Sequence, residues 1–334
     1  MRKASFLLKI GAYAAVLLFS TTINAASLQD PLPSWNDGSI KKNIIQFVTE
    51  VTDKSSVAYV APQDRIAAFD NDGTLWVEQP LYTQGIFMFD RIKALALLHP
   101  EWKTQKPYST ILSGDKTALS NLTVQDIERM IAITHSGMTV SNFKQIVQKW
   151  LATAIDPRFK RPYTQLIYKP MLEAMNYLRD NGFKVYIVTG GGQEFVRAFS
   201  QATYTYNVVP EQVIGTAVKT KYTYQNNKPV LVKLPAVLII DDKAGKPEAI
   251  NFVIGRKPII AFGNSDGDRE MLEWTQSGEG RHLMLLVHHD DAKREYAYGP
   301  ESKIGTFSNS LLDEAKKNNW NVISMQKDWR IIFP

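Results

Sequence analysis

Two carboxylates placed two residues apart are the sharpest chemical feature of the chain. In Phe69-Asp70-Asn71-Asp72-Gly73-Thr74-Leu75 both acids lie just past a short apolar run, Arg65 to Phe69. A turn helped by Gly73 brings both onto one spot. Close carboxylates repel, so the pair favours a divalent cation or a shared proton. A hard, oxygen-bound ion such as Mg2+ is the natural partner. Three further clusters could act with it. Thr189-Gly190-Gly191-Gly192 offers crowded backbone N–H groups, a hydroxyl donor and the start of a helix at Gln193, a combination suited to a phosphoryl anion. Asp241-Asp242-Lys243-Ala244-Gly245-Lys246-Pro247 holds two lysines, either of which can counter charge on a transferring phosphoryl group. Gly263-Asn264-Ser265-Asp266-Gly267-Asp268 is rich in oxygen ligands, but no acid stands twelfth from Asp266 to complete a calcium-binding EF-hand loop.

Each cluster has an apolar run to position it. The runs ending at Phe69, Val188, Phe262 and Val287 are short and continuous, the pattern of parallel strands buried on both faces. In open α/β sheets ligands bind beyond the carboxyl ends of such strands. Between the first two runs, Pro170 opens a helix that aligns Leu172, Met175 and Leu178 and closes at Gly182. Further upstream lies a long helical insertion. Thr123 is the expected N-cap for a face of Ile127, Met130, Ile131 and Thr134, and Ser141 for a face of Phe143, Ile146, Val147, Trp150, Leu151 and Ala154. Residues 213–240 read as a small antiparallel excursion with a turn at Asn226-Asn227-Lys228-Pro229, and Trp329 to Phe333 as an edge segment. The expected fold is α/β: a doubly wound parallel sheet with an inserted helical cap. Residues 26–79 and 166–334 form the core and 80–165 the cap.

Composition narrows the class. The 334 residues include no cysteine, which excludes disulfides, thiolate metal sites and a cysteine nucleophile. The formal charge is +6, and residues 1–25 hold three of the bases, Arg2, Lys3 and Lys9, with no acid, so the rest carries +3. That is no footprint for a nucleic acid. Arg2 and Lys3, the apolar run Gly11 to Phe19 and small residues at Ala25 and Ala26 read as a signal peptide spanning residues 1–25. The processed protein is then expected to be soluble, periplasmic or secreted, with no membrane association.

The four clusters, in this order, resemble the haloacid dehalogenase-like hydrolase superfamily over residues 60–290. Gly-Lys-Pro ahead of Gly-Asn-Ser-Asp-Gly-Asp is most similar to the phosphoserine-phosphatase-like branch. His288-His289-Asp290-Asp291 with Arg294-Glu295-Tyr296 resembles its secreted bacterial members. The resemblance implies a Rossmann-like core and a set of roles. Asp70 is the nucleophile that forms an aspartyl-phosphate. Asp72 protonates the leaving oxygen, later activates water, and offers its main-chain carbonyl to the metal. Thr189 and Gly190 bind phosphoryl oxygens. Lys246, the lysine in the matching context, neutralises charge. Asp70, Asp72, Asn264 and Asp268 hold Mg2+. Asn264 departs from the family pattern, which has an aspartate there. The direct ligand is therefore one of Asn264, Asp266 and Asp268. Carbon–halogen hydrolases of the superfamily lack the second carboxylate, so Asp72 implies phosphate-ester hydrolysis.

The expected protein is an exported, Mg2+-dependent phosphomonoesterase acting on a small phosphorylated substrate. A phosphoryl transferase or mutase using the same aspartate, and a periplasmic anion-binding protein without chemistry, are the alternatives. Hydrogen-bonding or structural roles are expected of His288 and His289, and packing rather than a cation cage of Trp76, Tyr82, Phe87 and Phe89. Glu78 faces the substrate on proximity alone.

Overall fold

A computed structural model describes residues 30–334, so the expected signal peptide lies outside the described residues. Residues 31–334 form one compact unit. Its frame is a sheet of seven strands among the described residues: β1 (Ile66–Phe69), β2 (Lys184–Gly192), β3 (Val213–Gln225), β4 (Lys228–Ile239), β5 (Ile260–Gly263), β6 (Leu283–His288) and β7 (Asn321–Ser324). The order across the sheet is β4-β3-β2-β1-β5-β6-β7. Every neighbouring pair is parallel except β3 and β4. β1 lies between β2 on one side and β5 on the other, so the strand order reverses there. That makes the end of β1 the topological switch point where a doubly wound sheet opens a crevice.

The apolar runs are continuous because both sides of the sheet are covered. Ala67, Phe69, Ile187, Ile260, Phe262 and Leu285 face one layer, with helices Ser39–Thr52 and Lys169–Asp180. The alternate residues Ala68, Val188, Ala261, Met284 and Leu286 face the other, with helices Gly245–Ile254, Arg269–Gln276 and Asn309–Lys317. Period-two alternation thus divides one buried run between two cores. Phe69 and Phe262, in register on β1 and β5, stack with ring centroids 4.3 Å apart.

Residues 80–165 hold helices and no strand. Met88, Ile92, Trp102, Ile111 and Met130 form a small core of their own. Helix Val124–His135 begins at Thr123 with a full capping box through Asp126, as its sequence predicts. Helix Val140–Leu151 is capped by Thr139, which accepts from the Asn142 N–H, and not by Ser141. Its Phe143, Val147 and Leu151 pack into the main core. Phe87 meets Phe143, Trp150 and Phe195 edge-on or tilted, so it is a packing residue.

Two other expectations change. The β3–β4 turn is Asn226-Asn227 alone, both with positive φ (49° and 60°), the geometry of a tight hairpin. Lys228 and Pro229 already belong to β4. The sheet edges are β4 and β7, and Trp329 to Phe333 form no strand. Trp329 instead bridges Trp35, with rings 5.9 Å apart and nearly perpendicular. No described helix is long and apolar enough to cross a membrane.

Trp329 is fully buried against Trp35 and Tyr168. Trp329→Ala should cost about 3–5 kcal/mol, read as a lower denaturant midpoint at unchanged slope.

Candidate active site

Three strand ends deliver one cluster. Immediately after β1 the chain turns, with the Asn71 carbonyl accepting from the N–H groups of Thr74, Leu75 and Trp76. Gly73 takes φ +78°, and a Cβ there would fall 2.1 Å from Asn264 Nδ2 and 2.3 Å from Glu78 Oε1. Only glycine satisfies both the left-handed backbone and the close approach. The turn leaves Asp70 6 % exposed. Asp70 Oδ1 accepts from Lys246 Nζ at 2.6 Å, while Oδ2 has no hydrogen-bond partner among the described residues.

Lys246 sits in the first turn of helix Gly245–Ile254, entirely out of water. Its ammonium has three protons and finds three acceptors: Asp70 Oδ1 and Asp268 Oδ1, both at 2.6 Å, and the Val188 carbonyl at 3.1 Å. The preceding Gly245 is required for close approach, because a Cβ would lie 1.9 Å from the Ile240 carbonyl oxygen.

At the end of β2, the Thr189 N–H donates to Asp241 Oδ2 (2.9 Å), and Thr189 Oγ1 accepts from the Gly191 N–H (3.0 Å). The Thr189 hydroxyl proton has no acceptor among the described residues, so it remains available to an incoming oxygen. A Cβ on Gly191 would lie 3.2 Å from Thr189 Oγ1 and 3.5 Å from Asp72 Oδ2, which places the glycine turn beside the second carboxylate. Asp72 is oriented by the Trp76 indole, which donates to Oδ1 at 2.8 Å.

The comparisons with known proteins follow this geometry. The family model described as haloacid dehalogenase-like hydrolase matches residues 67–273, from inside β1 to helix Arg269–Gln276. The chain belongs to the haloacid dehalogenase-like hydrolase family. A conserved protein of unknown function from Anaerococcus prevotii has a similar structure, with TM-score 0.52 at 16% identity over 85% of this chain and 91% of its own. A protein of unknown function from Bordetella pertussis gives TM-score 0.48 at 15% identity, covering 78% of this chain and 98% of its own. A phosphoserine phosphohydrolase-like protein from Francisella tularensis gives 0.39 at 15% identity, over 79% and 95%. No curated protein matches the chain.

Of the residues singled out in the sequence, this hydrolase gathers Asp70, Asp72, Thr189, Lys246, Asn264 and Asp268. Lys243 lies outside, exposed and with positive φ. Asp266 turns away to accept from Ser308 Oγ at 2.8 Å. Among the three candidate metal ligands, Asn264 is therefore the one beside the Asp70 turn, with Oδ1 3.2 Å from Thr74 Oγ1. Asp268 has both oxygens engaged. Oδ1 holds Lys246, and Oδ2 accepts from the N–H groups of Asn264 and Ser265 at 2.9 and 3.0 Å. His289 is buried, with Nε2 facing the Gly73 carbonyl at 2.7 Å and Nδ1 facing Glu295 at 3.1 Å.

Several functional neighbours escape a reading of the sequence. Asp241 orients Thr189, and its place at a strand end is the one signal that could have found it. Glu78 packs against Asn264 rather than standing only near the motif. Gln84, from helix Thr83–Leu95, accepts from the Gly192 N–H at 2.7 Å and meets His135 Nε2 at 3.0 Å. Burial, with Lys233 and Arg91 adding, lowers the His135 pKa to about 3. The neutral ring accepts from Gln84 at Nε2 and donates from Nδ1 to Thr134 Oγ1 (2.6 Å), which donates on to the Met130 carbonyl.

The electrostatics carry an excess of negative charge. Burial, reinforced by Asp268, pushes Asp70 well above the usual carboxylate range, while Lys246 pulls it down. Burial raises Asp72 and Glu78 as well, and moves Asp241 to about 7. Burial alone would lower Lys246, but Asp268 and Asp70 hold it above an ordinary lysine. One ammonium thus faces Asp70, Asp72, Asp241 and Asp268, with Glu78 next to them. Among the described residues no three acidic or histidine side chains form a ready cage. The donors at hand are instead Asp70 Oδ2 and the Asp72 main-chain carbonyl, neither with a partner among the described residues, and the Asn264 amide oxygen, which accepts from the Thr74 hydroxyl at 3.2 Å and keeps a second lone pair. That is an all-oxygen set of the kind Mg2+ takes, in a place where one ammonium faces several acids. The residues fit a hard divalent cation.

Two outcomes follow. Lys246→Met leaves Asp70 and Asp268 buried without a counter-charge and should cost about 3–5 kcal/mol in a denaturant titration. Asp241 keeps its proton in the fold up to about pH 7 but loses it near pH 4 when unfolded. Its contribution to metal-free stability therefore falls as pH rises from 4 to 7. Asp241→Asn should flatten that decline in thermal melts at pH 5 and pH 7.

Proposed function

We propose that this hydrolase is a Mg2+-dependent phosphomonoesterase, exported from the cytoplasm, that cleaves small phosphate monoesters through an aspartyl-phosphate on Asp70. The observation that carries the reading is the state of Asp70. One oxygen is pinned by a buried ammonium, the other has no partner among the described residues, and the strand that leads into Asp70 pairs with the one that leads into Thr189 and the glycine turn. A carboxylate is a weak nucleophile, so attack on a phosphate dianion needs orientation and charge cancellation. Lys246 supplies both to Asp70. Thr189 donates to one phosphoryl oxygen, and the N–H of Gly190 lies on the same turn for another. Asp72, fixed by Trp76 and raised by burial, gives a proton to the leaving alkoxide. Its carboxylate then takes a proton from the water that attacks phosphorus and frees Asp70.

Asp70, the Asp72 carbonyl and Asn264 would hold Mg2+, which when bound neutralises charge on the phosphoryl oxygens and relieves the repulsion among the acids. Asp268 acts by holding Lys246. The helices of residues 80–165 form the cap that screens the site from bulk water. The reading of residues 1–25 as a signal peptide supports export.

The purified protein should hydrolyse p-nitrophenyl phosphate only with Mg2+ present, and Asp70→Asn should lower kcat by at least about a thousandfold. Tight phosphate binding with no turnover in the native chain would identify a binding protein instead.

A further inference from the structure

Asn264 brings an uncharged amide to a cation site, and the residue packed behind it is a carboxylate. Asn264 Nδ2 donates to Glu78 Oε1 at 2.6 Å. We infer that Glu78 is a positioning residue for the cation: it orients the Asn264 amide and supplies, one hydrogen bond back, the negative charge that the amide itself lacks. The inference rests on the cation reading above.

Several observations converge on Glu78. It is 2 % exposed and forms no ion pair with a basic residue among the described residues. The nearby ammonium of Lys246 is fully committed to Asp70, Asp268 and the Val188 carbonyl. A carboxylate left this far from water without a counter-ion is costly. It is tolerated where a cation belongs to the working state. Because the amide nitrogen faces Glu78, the amide oxygen must face the other way, onto the side of Thr74 and the Asp70 turn. The carboxylate is braced in turn. Tyr298 donates to the same Oε1 at 2.7 Å and stacks on His289 at 4.4 Å, and His289 faces the Gly73 carbonyl. Close packing fixes it further, since a Cβ on Gly305 would lie 1.8 Å from Oε1. The brace through Tyr298 and His289 therefore returns to the turn that carries Asp70. A hydrogen bond from an amide to an anion increases electron density on the amide oxygen. Partners one step behind a ligand commonly set metal affinity in this way.

The test is a charge exchange, read by titration calorimetry with Mg2+ and by the thermal shift Mg2+ produces, both without substrate. Glu78→Gln keeps an oxygen for Asn264 and Tyr298 but removes the charge. It should weaken Mg2+ binding by about 10–100-fold, with the metal-free melting temperature unchanged or higher. Adding Asn264→Asp moves the charge one residue forward and should return the affinity to within about threefold of the native chain. Native-like binding by Glu78→Gln, or failure of Asn264→Asp to rescue it, overturns the inference while leaving the phosphatase reading intact. No Mg2+ binding by the native chain overturns the cation reading and this inference together. If Glu78→Gln does not fold, Tyr298→Phe removes the brace alone and should weaken Mg2+ several-fold; unchanged affinity there also overturns the inference.

Discussion

The ammonium of Lys246 is the constraint on which the site depends. Its three acceptors come from the ends of β1 and β2 and from the turn after β5, and the lysine itself from the helix that follows β4. Meeting all three at hydrogen-bond distance fixes four chain segments at once, to within the tolerance of one side chain. The parallel register of β1 with β2 and β5 makes this possible, because it brings the three carboxyl ends to one level. The stacked Phe69 and Phe262 rings lock that level from below. Breaking this ion cluster would leave bare charge where water cannot reach.

The cluster is not electrically balanced. Burial raises Asp70, Asp72, Glu78 and Asp241 together, and one lysine cannot offset them all. A fold optimised only for stability would not place so many acids here. The proposed reading uses that imbalance: a bound cation would offset the acids, and a carboxyl raised by burial would keep its proton nearer neutrality.

Much of this was legible in the sequence, for a physical reason. A sheet covered on both faces imposes uninterrupted apolar runs, so the runs ending at Phe69, Val188, Phe262 and Val287 stand out. The residues that follow them are the ones the topology must gather. Lys246 could be separated from Lys243 only by its resemblance context; in the structure Lys246 reaches Asp70 and Asp268, while Lys243 is exposed. Contacts made between distant segments were not legible. Glu78 and Asn264 are 186 positions apart, and Gln84 and Gly192 are 108 apart. Nothing local marks either pair. Asp268 matched a ligand position but spends its oxygens on Lys246 and on its own turn. The N-cap is Thr139 rather than Ser141; either hydroxyl could start that helix. β7 went unnoticed because Asn321–Ser324 is short and only partly buried.

Gln84 has an effect on the anion turn that its distance in sequence conceals. Its carbonyl occupies the Gly192 N–H, while its amino group is held by a histidine that cannot charge at physiological pH. The glycine loop is thus partly self-filled: one of its donors is already in use before any ester arrives. Under the proposed reading, a phosphoryl oxygen at this loop would either do without that donor or displace the glutamine, and displacement would remove a contact between the helical insertion and the loop. Occupancy of the loop and seating of the insertion are therefore linked through one amide side chain.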